Sequence, residues 1–572
     1  MQQRTLLPEI LQSRAALGPA KRAYVFLNEN GEEKAILTYG DLHSRALTVA
    51  RQLIQHCKPG DRALLLFPQS LDFIVAYFGC LYAHVIAVPV NPPRKNRIQD
   101  ATRSIVRDCG PSAVLTVSAM LETTRPSLES LCGALHWLPI DQVTDAADTS
   151  FHPQPCLADS IAFLQYTSGS TSDPKGVMVS HRNLSANQEM IQRAFGHDQH
   201  STVVGWAPFY HDQGLIGNVL QPLYLGAISI LMSPMAFIRW PLLWLSAISR
   251  YRAHTSGGPN FAFDACVARA ARGNVPDLDL SCWKVAFNGA EPIRHETLRR
   301  FSETFAPFGF REEALYPCYG LAEATLLVTG SLKGRGPRTL EADVEQLSHK
   351  RYVKAPSGRV RTLAGSGRGL PEEELRIVDP ETRRSCPANQ VGEIWVAGEH
   401  VAQGYWRRPE ATADTFQAEC DGEIGHTYLR TGDLGLVVDG ELYIVGRLKD
   451  LVIIRGRNYY PQDIEHTVQS SHPALKPGGC AAFSVLGADG EKLVVVQEIK
   501  REQRLEADAI DVAASIRAAI TQEHELSVSD LVLTLPGQLQ KTSSGKIMRA
   551  AARKRYLEAG FEIWAPRKPS VA

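Results

Sequence analysis

Apolar residues recur with a helical period early in the chain. Leu42, Ala46, Val49, Ala50, Leu53 and Ile54 fall on one stripe of a 3.6-residue helix. Thr38-Tyr-Gly-Asp41, just ahead of them, has the form of a capping box, in which hydroxyl and carboxylate each satisfy an orphan amide. The turn Lys58-Pro-Gly-Asp61 separates this helix from an unbroken apolar run, Arg62-Ala-Leu-Leu-Leu-Phe67, which reads as a short buried strand. A second helix over 71–84, a strand over 85–90 and the stop Asn91-Pro-Pro93 follow. This β-α-β rhythm runs to about residue 330 and predicts a largely parallel sheet with helices on its faces.

Residues 332–369 break the rhythm. They carry nine Lys/Arg against three acids and little apolar periodicity, and read as an insertion or a long ordered loop. Beyond them, Leu375-Arg-Ile-Val378, Gly392-Glu-Ile-Trp-Val-Ala397 and Glu441-Leu-Tyr-Ile-Val445 read as strands of a smaller β-rich unit. A boundary is expected at Gly446-Arg-Leu-Lys-Asp-Leu451. After it come Val452-Ile-Ile454, a helix starting at Pro461, strands over 480–485 and 492–499, a helix over 510–523 and another after Gly545. The predicted fold is α/β: a large N-terminal part of several subdomains over 1–446, a hinge at 447–451 and a small mobile α+β unit over 452–572.

The most apolar stretch, 220–248, is interrupted by Pro222, Pro234, Arg239 and Pro241, so no membrane span is expected there. It is either core or the wall of an apolar tunnel. Lys+Arg and Asp+Glu both number 61 in the 572 residues, so no bulk charge draws the chain to nucleic acid. The 11 cysteines are scattered without a CxxC pair, which argues against a zinc site or a disulfide framework. No signal-peptide apolar run follows the first residues, and a reducing, cytoplasmic location is expected.

The densest chemical signal is Tyr166-Thr-Ser-Gly-Ser-Thr-Ser-Asp-Pro-Lys-Gly176. Thr167, Ser168, Gly169, Ser170 and Thr171 offer hydroxyls and bare backbone, Lys175 a point charge, and Gly176 room for close approach. This is a candidate phosphate grip. It is not a Walker A loop, because Gly169 and Lys175 are wrongly spaced.

Four further segments follow in order: Asn288-Gly-Ala-Glu-Pro292, Tyr319-Gly-Leu-Ala-Glu-Ala-Thr325, Tyr428-Leu-Arg-Thr-Gly-Asp-Leu-Gly435 and Lys541-Thr-Ser-Ser-Gly-Lys-Ile547. With the glycine-rich loop, they resemble the adenylate-forming enzymes, a superfamily of acyl-CoA synthetases, nonribosomal adenylation domains and luciferases. Three more segments are similar to one branch, the fatty acyl-AMP ligases: Trp206-Ala-Pro-Phe-Tyr-His-Asp-Gln-Gly-Leu-Ile-Gly217, Ser256-Gly-Gly-Pro-Asn-Phe261 and Ile453-Ile-Arg-Gly-Arg-Asn-Tyr-Tyr-Pro-Gln-Asp-Ile-Glu465. Segment 332–369 falls where that branch carries an insertion. The resemblance covers roughly 20–565.

The resemblance implies that a medium- or long-chain fatty acid is activated by ATP to acyl-adenylate and pyrophosphate. The acyl group then passes to the phosphopantetheine thiol of an acyl carrier protein. It implies Lys546 as the catalytic lysine, bridging carboxylate and α-phosphate, and Glu323 as a ligand of Mg²⁺. Tyr319 would offer its face to adenine, and Asn288, Gly289, Ala290 and Glu291 would lie at the adenine edge. Gly320 and Thr325 belong to the same nucleotide site. Asp433 would accept from the ribose hydroxyls, with Arg447 a second ribose or phosphate contact. Asp450 matches the hinge position. His211 matches a position near the substrate carboxylate, where a catalytic and a structural histidine both remain open. Lys546, Arg549, Arg553, Lys554 and Arg555 form either a docking face for an acidic carrier helix or a solvated helix face. A long-chain acyl-CoA synthetase is the alternative enzyme, and a non-catalytic acyl-nucleotide sensor the distant one.

Overall fold

The computed structural model describes residues 4–93, 98–143, 151–167, 174–355, 359–423, 425–454, 457–487, 490–542 and 545–564. Two sheets, not one, carry the β-α-β part. The first runs His136–Pro139, Ala113–Thr116, Arg62–Leu65, Ile86–Pro89, Ile161–Thr167 and Lys175–Ser180, all parallel except the last strand. The second has nine strands, with a parallel centre that includes Arg22–Leu27, Val203–Gly205, Thr255–Gly258, Val285–Asn288 and Leu315–Gly320. Local periodicity identifies the strands. Their division between two sheets is set by pairing over long sequence separations, which no local pattern encodes.

The burial of Arg22–Leu27 follows the two-residue period of a strand. Tyr24 and Phe26 enter the core shared with the helices Tyr39–Leu53 and Leu71–Tyr82, while Val25 and Leu27 face a second core containing Trp244 and Trp283. A strand covered on both faces must be apolar throughout, as parallel strands usually are. The capping box forms at Tyr39–Leu53: Asp41 N donates to Thr38 Oγ1 and Thr38 N to Asp41 Oδ2, both at 3.1 Å. The apolar stripe ends at Leu53, because Ile54 lies at the C-cap and is 46% exposed.

Segment 332–369 is not a loop. Thr339–Asp343 and Val360–Ala364 pair as an antiparallel ribbon, with the short helix Val344–Ser348 in the connection. Its apolar residues are few because the ribbon is covered on one side only. Ala342, Leu347 and Leu363 pack with Leu434, Leu436, Tyr443 and Tyr460. The neighbouring β-rich unit pairs Glu373–Val378, Gly392–Gly398, Thr427–Val438 and Glu441–Arg447 in antiparallel order.

After the one-turn 3-10 helix Leu448–Asp450, a three-stranded sheet of Leu475–Gly487, Gly490–Ile499 and Val528–Thr534 has its own core with the helices Pro461–Ser470 and Ala509–His524. Val528–Thr534 is the strand the pattern did not reveal. It pairs in parallel with Gly490–Ile499 after a helical crossover.

The stretch 220–248 folds into short helices around the strand Ser229–Leu231 and lies largely in core, with Met235 and Ile238 exposed. Among the described residues, no helix is long and apolar enough to cross a membrane. The cysteines are all free.

Candidate active site

The site is built where several chain segments end together. Asn288 closes the strand Val285–Asn288, and its buried amide donates to Gly258 O at 3.2 Å, tying two strand ends. At Gly289 a Cβ would lie 3.0 Å from Cys318 O, so only glycine fits without a shift. Ala290 follows at φ +71°, a left-handed conformation that costs an L residue energy and turns the chain sharply. Glu291 accepts weakly from Phe261 N at 3.4 Å, and burial pushes its carboxyl above the usual range.

Tyr319 lies on the strand Leu315–Gly320 and is nearly buried. Its hydroxyl donates to Asp433 Oδ2 at 2.8 Å, and Arg447 Nε donates to Asp433 Oδ1, also at 2.8 Å. Asp433 and Arg447 face each other across the pair Thr427–Val438 and Glu441–Arg447. The charge of Asp433 raises the Arg447 pKa, so the cation is secure. A carboxylate held by two donors is a rigid acceptor.

Glu323 sits in the 3-10 turn Ala322–Ala324. Its carboxylate accepts from Tyr405 OH at 2.9 Å. Lys175 Nζ lies 4.7 Å from the centre of the same tyrosine ring and within electrostatic reach of Glu323. Burial, the largest effect, and then Lys449 lower the Lys175 pKa. Tyr405 thus joins Lys175 to Glu323, and no pattern in the sequence singled it out. The backbone then makes a classic-type γ-turn at Thr325: φ is +68°, ψ is −64°, and Leu326 N donates to Ala324 O at 2.8 Å. A β-branched residue is strained there. Thr325 Oγ1 donates to His400 O at 2.6 Å and holds it.

Thr167 and Lys175 pair across antiparallel strands, as do Tyr166 and Gly176. Ser168, Gly169, Ser170 and Thr171 lie outside the described residues. At Gly176 a Cβ would lie 2.8 Å from the Tyr166 ring. At Gly320 it would lie 1.7 Å from Leu326 O, an impossible approach.

His211 precedes a π-helix over Gln213–Leu220. Such wide turns are rare and cluster at functional sites. Leu215 N donates to His211 O at 2.8 Å, and a Cβ at Gly214 would lie 2.0 Å from Pro208 O. Glycine therefore permits the turn. Burial lowers the His211 pKa, Asp212 opposes that shift, and the Lys546 ammonium adds to it.

Lys546 arrives from the far end of the chain. Thr542 N donates to Lys546 O at 2.7 Å, and Lys546 N donates to Thr542 Oγ1 at 3.1 Å, closing a tight loop. The side chain is exposed to solvent, with Arg447, Asp433, Asp212 and Glu291 within electrostatic reach. Desolvation there, followed by the Arg447 charge, lowers its pKa, while Asp433, Asp212 and Glu291 pull it back up. Lys546 therefore lies within electrostatic reach of His211, Glu291, Asp433 and Arg447, from segments that are mostly far apart in sequence.

The basic helix face does not form as one surface. Lys546 precedes the helix Arg549–Leu557. Arg549 is committed to Glu465 and Asp450, and Arg555 to Gln538 O and Gly560 O. Arg553 and Lys554 stay exposed. Local spacing could not show that acids from other segments take up Arg549, or that carbonyl oxygens take up Arg555.

With this arrangement, the profile of the AMP-binding enzymes matches residues 11–406, and that of the AMP domain of Disco-interacting protein 2-like proteins matches 449–565. The chain belongs to the AMP-binding enzyme family. It is 43% identical to the medium-chain fatty acid–[acyl-carrier-protein] ligase JamA of Moorena producens, over 98% of this chain and 96% of that protein. A fatty acyl-adenylate ligase of Legionella pneumophila, solved with acyl adenylate and pyrophosphate, superposes with a TM-score of 0.76 at 41% identity, covering 97% of each chain. A further fatty acyl-adenylate ligase structure, from work on the E. coli and L. pneumophila enzymes, gives a TM-score of 0.88 at 32% identity over 98% of each chain. Within the family, the chain falls in the fatty acyl-AMP ligase branch: an ATP-dependent, AMP-forming ligase.

Proposed function

We propose that this enzyme condenses a medium- or long-chain fatty acid with ATP to give acyl-adenylate, then loads the acyl group onto the phosphopantetheine thiol of an acyl carrier protein. The observation that carries this reading is Asp433 held by Tyr319 and Arg447, with Lys546 within electrostatic reach of that pair, His211 and Glu291. A carboxylate oxygen of the fatty acid attacks the α-phosphorus, and the bond to pyrophosphate breaks. Two anions meet in that step, so catalysis is mainly positioning and charge neutralisation. Lys546 supplies the mobile cation between carboxylate and α-phosphate. Asp433, held by Tyr319 and Arg447, accepts from the ribose hydroxyls. Tyr319 and the segment Asn288–Glu291 shape the adenine site, with Gly320 giving the close backbone approach. Thr167–Gly176, with Lys175, grips the pyrophosphate end. His211 turns toward the substrate carboxylate at the head of the π-helix.

Mg²⁺ fits the same site. It favours one or two carboxylates plus substrate phosphates over a full protein cage, and Glu323, oriented by Tyr405, offers one carboxylate. Bound there, the ion would neutralise phosphate charge. Among the described residues, no group of three His, Cys, Asp or Glu forms a metal cage, which agrees with that sparse ligand set.

In the second step the thiolate attacks the acyl carbonyl, the carbonyl carbon–oxygen bond to AMP breaks, and AMP leaves. A turn of the unit beyond Leu448–Asp450 would clear Lys546 from the site for the incoming thiol. The absence of a membrane-crossing helix among the described residues and the free cysteines support a cytoplasmic enzyme. The test is fatty-acid-dependent ATP–pyrophosphate exchange, followed by acyl transfer to a pantetheinylated carrier and, separately, to free coenzyme A. Exchange with carrier loading supports the reading. Rapid turnover with free coenzyme A would identify an acyl-CoA synthetase instead.

A further inference from the structure

Arg549 stands at the first position of the helix Arg549–Leu557, where the helix dipole disfavours a cation. Its placement therefore has another cause. Nε and Nη2 grip both oxygens of Glu465 at 2.7 and 2.8 Å, a fork-to-fork pair. Nη1 reaches Asp450 Oδ2 at 2.6 Å. The three side chains are only 20%, 9% and 15% exposed, so water screens these bonds weakly.

The two ends of this bridge are anchored differently. Glu465 belongs to the helix Pro461–Ser470, and its Oε1 also accepts from Ala482 N at 3.1 Å, on the sheet of the same unit. The Arg549–Glu465 fork is thus internal to that unit. Asp450 closes the turn Leu448–Asp450, which follows Arg447, the arginine that holds Asp433. Arg549 is also three residues beyond Lys546. One guanidinium connects the lysine loop to the segment on which the unit would turn.

We infer that Arg549 is a positioning residue for adenylate formation: its bond to Asp450 holds the Lys546 loop at the site and is released when the unit turns for thiol transfer. This rests on the two-step reading proposed above. The Glu465 fork moves with the unit and persists through the turn. The Asp450 bond spans the pivot and breaks. The grip should therefore matter to one half-reaction and not to the other.

The test uses the full-length enzyme with Asp450→Asn, Arg549→Lys and Arg549→Gln. One assay follows fatty-acid-dependent ATP–pyrophosphate exchange. The other supplies synthetic dodecanoyl-adenylate and follows transfer to a pantetheinylated carrier protein. Asp450→Asn, which leaves the Glu465 fork intact, should slow exchange about tenfold or more while leaving transfer within about threefold of wild type and the thermal midpoint unchanged. Arg549→Lys should retain more exchange activity than Arg549→Gln, because it keeps the charge but not the fork. Unchanged exchange, or equal slowing of both half-reactions by Asp450→Asn, would overturn the inference. The wild-type rates in the two assays test the two-step reading on their own.

Discussion

At the scale of single residues, the site depends on a few side chains in demanding environments. In the proposed mechanism Lys546 acts as a cation, and its surroundings lower its pKa. Lys546→Ala should reduce ATP–pyrophosphate exchange about 100-fold or more, as loss of a group aimed at transition-state charge does. The working form is the ammonium, so exchange should fall as pH rises. The depressed pKa places that alkaline limb below the usual lysine range, which a pH–rate profile would locate. The motifs made Lys546, Glu323 and Asp433 candidates, because each stands in a recognisable local string. Tyr405 and the γ-turn at Thr325 were not legible. The first gains its role from a neighbour far away in sequence, and the second is a strained backbone held by His400.

At the scale of elements, the π-helix Gln213–Leu220 follows His211, whose carbonyl accepts from Leu215 N. Gly214→Ala would drive a methyl against Pro208 O, 2.0 Å from the added carbon. The expected result is a raised KM for the fatty acid and a loss of about 1–3 kcal/mol of stability, measured by exchange kinetics and denaturant unfolding. A second element-level effect lies at the start of the strand Thr255–Gly258. His197 and His254 flank Thr255 Oγ1 at 2.7 and 2.8 Å, and Lys333 Nζ lies 2.9 Å from His254 Nε2. Asp198 opposes, but burial first and the neighbouring cations next lower their pKa values from 6.5 to about 3 and about 4. Above pH 6.5 both folded and unfolded chains hold these rings neutral. Between pH 6.5 and about 4 the unfolded chain takes protons that the folded one refuses, so stability falls as pH falls. His197→Asn should flatten the melting temperature across that window. Helix periods and caps were readable from sequence because they are local. The strand Val528–Thr534 and the ribbon in 332–369 were not, since long-range pairing creates them.

At the scale of the whole molecule, the ribbon braces the last unit against the rest. Arg361 Nε pairs with Asp463 at 3.1 Å, its Nη2 donates to Val445 O at 3.0 Å, and its guanidinium stacks over Tyr460 at 4.6 Å. Arg359 pairs with Glu525 and donates to Glu523 O at 3.1 Å. Asn458 Nδ2 donates to Ser348 O at 2.9 Å. Arg361→Ala removes three contacts at once and should expose the segment around 447–451 to limited proteolysis faster than in wild type. Cleavage at the wild-type rate would show that the brace is carried elsewhere.

The sequence by itself determined the α/β character, a number of the helices and strands, the family motifs and the residue types available for adenylate chemistry. These are local: hydrophobic period, capping and turn chemistry, and short strings with fixed spacing. Only the tertiary structure decided that the strands divide between two sheets and that Asp433 is clamped by Tyr319 and Arg447. It also decided that Arg549 is taken up by Glu465 and Asp450 rather than offered to a partner, and that Lys546 comes within electrostatic reach of Asp433 and Arg447. Those outcomes rest on contacts between residues far apart in the chain, whose energies appear only once burial brings charges and donors together.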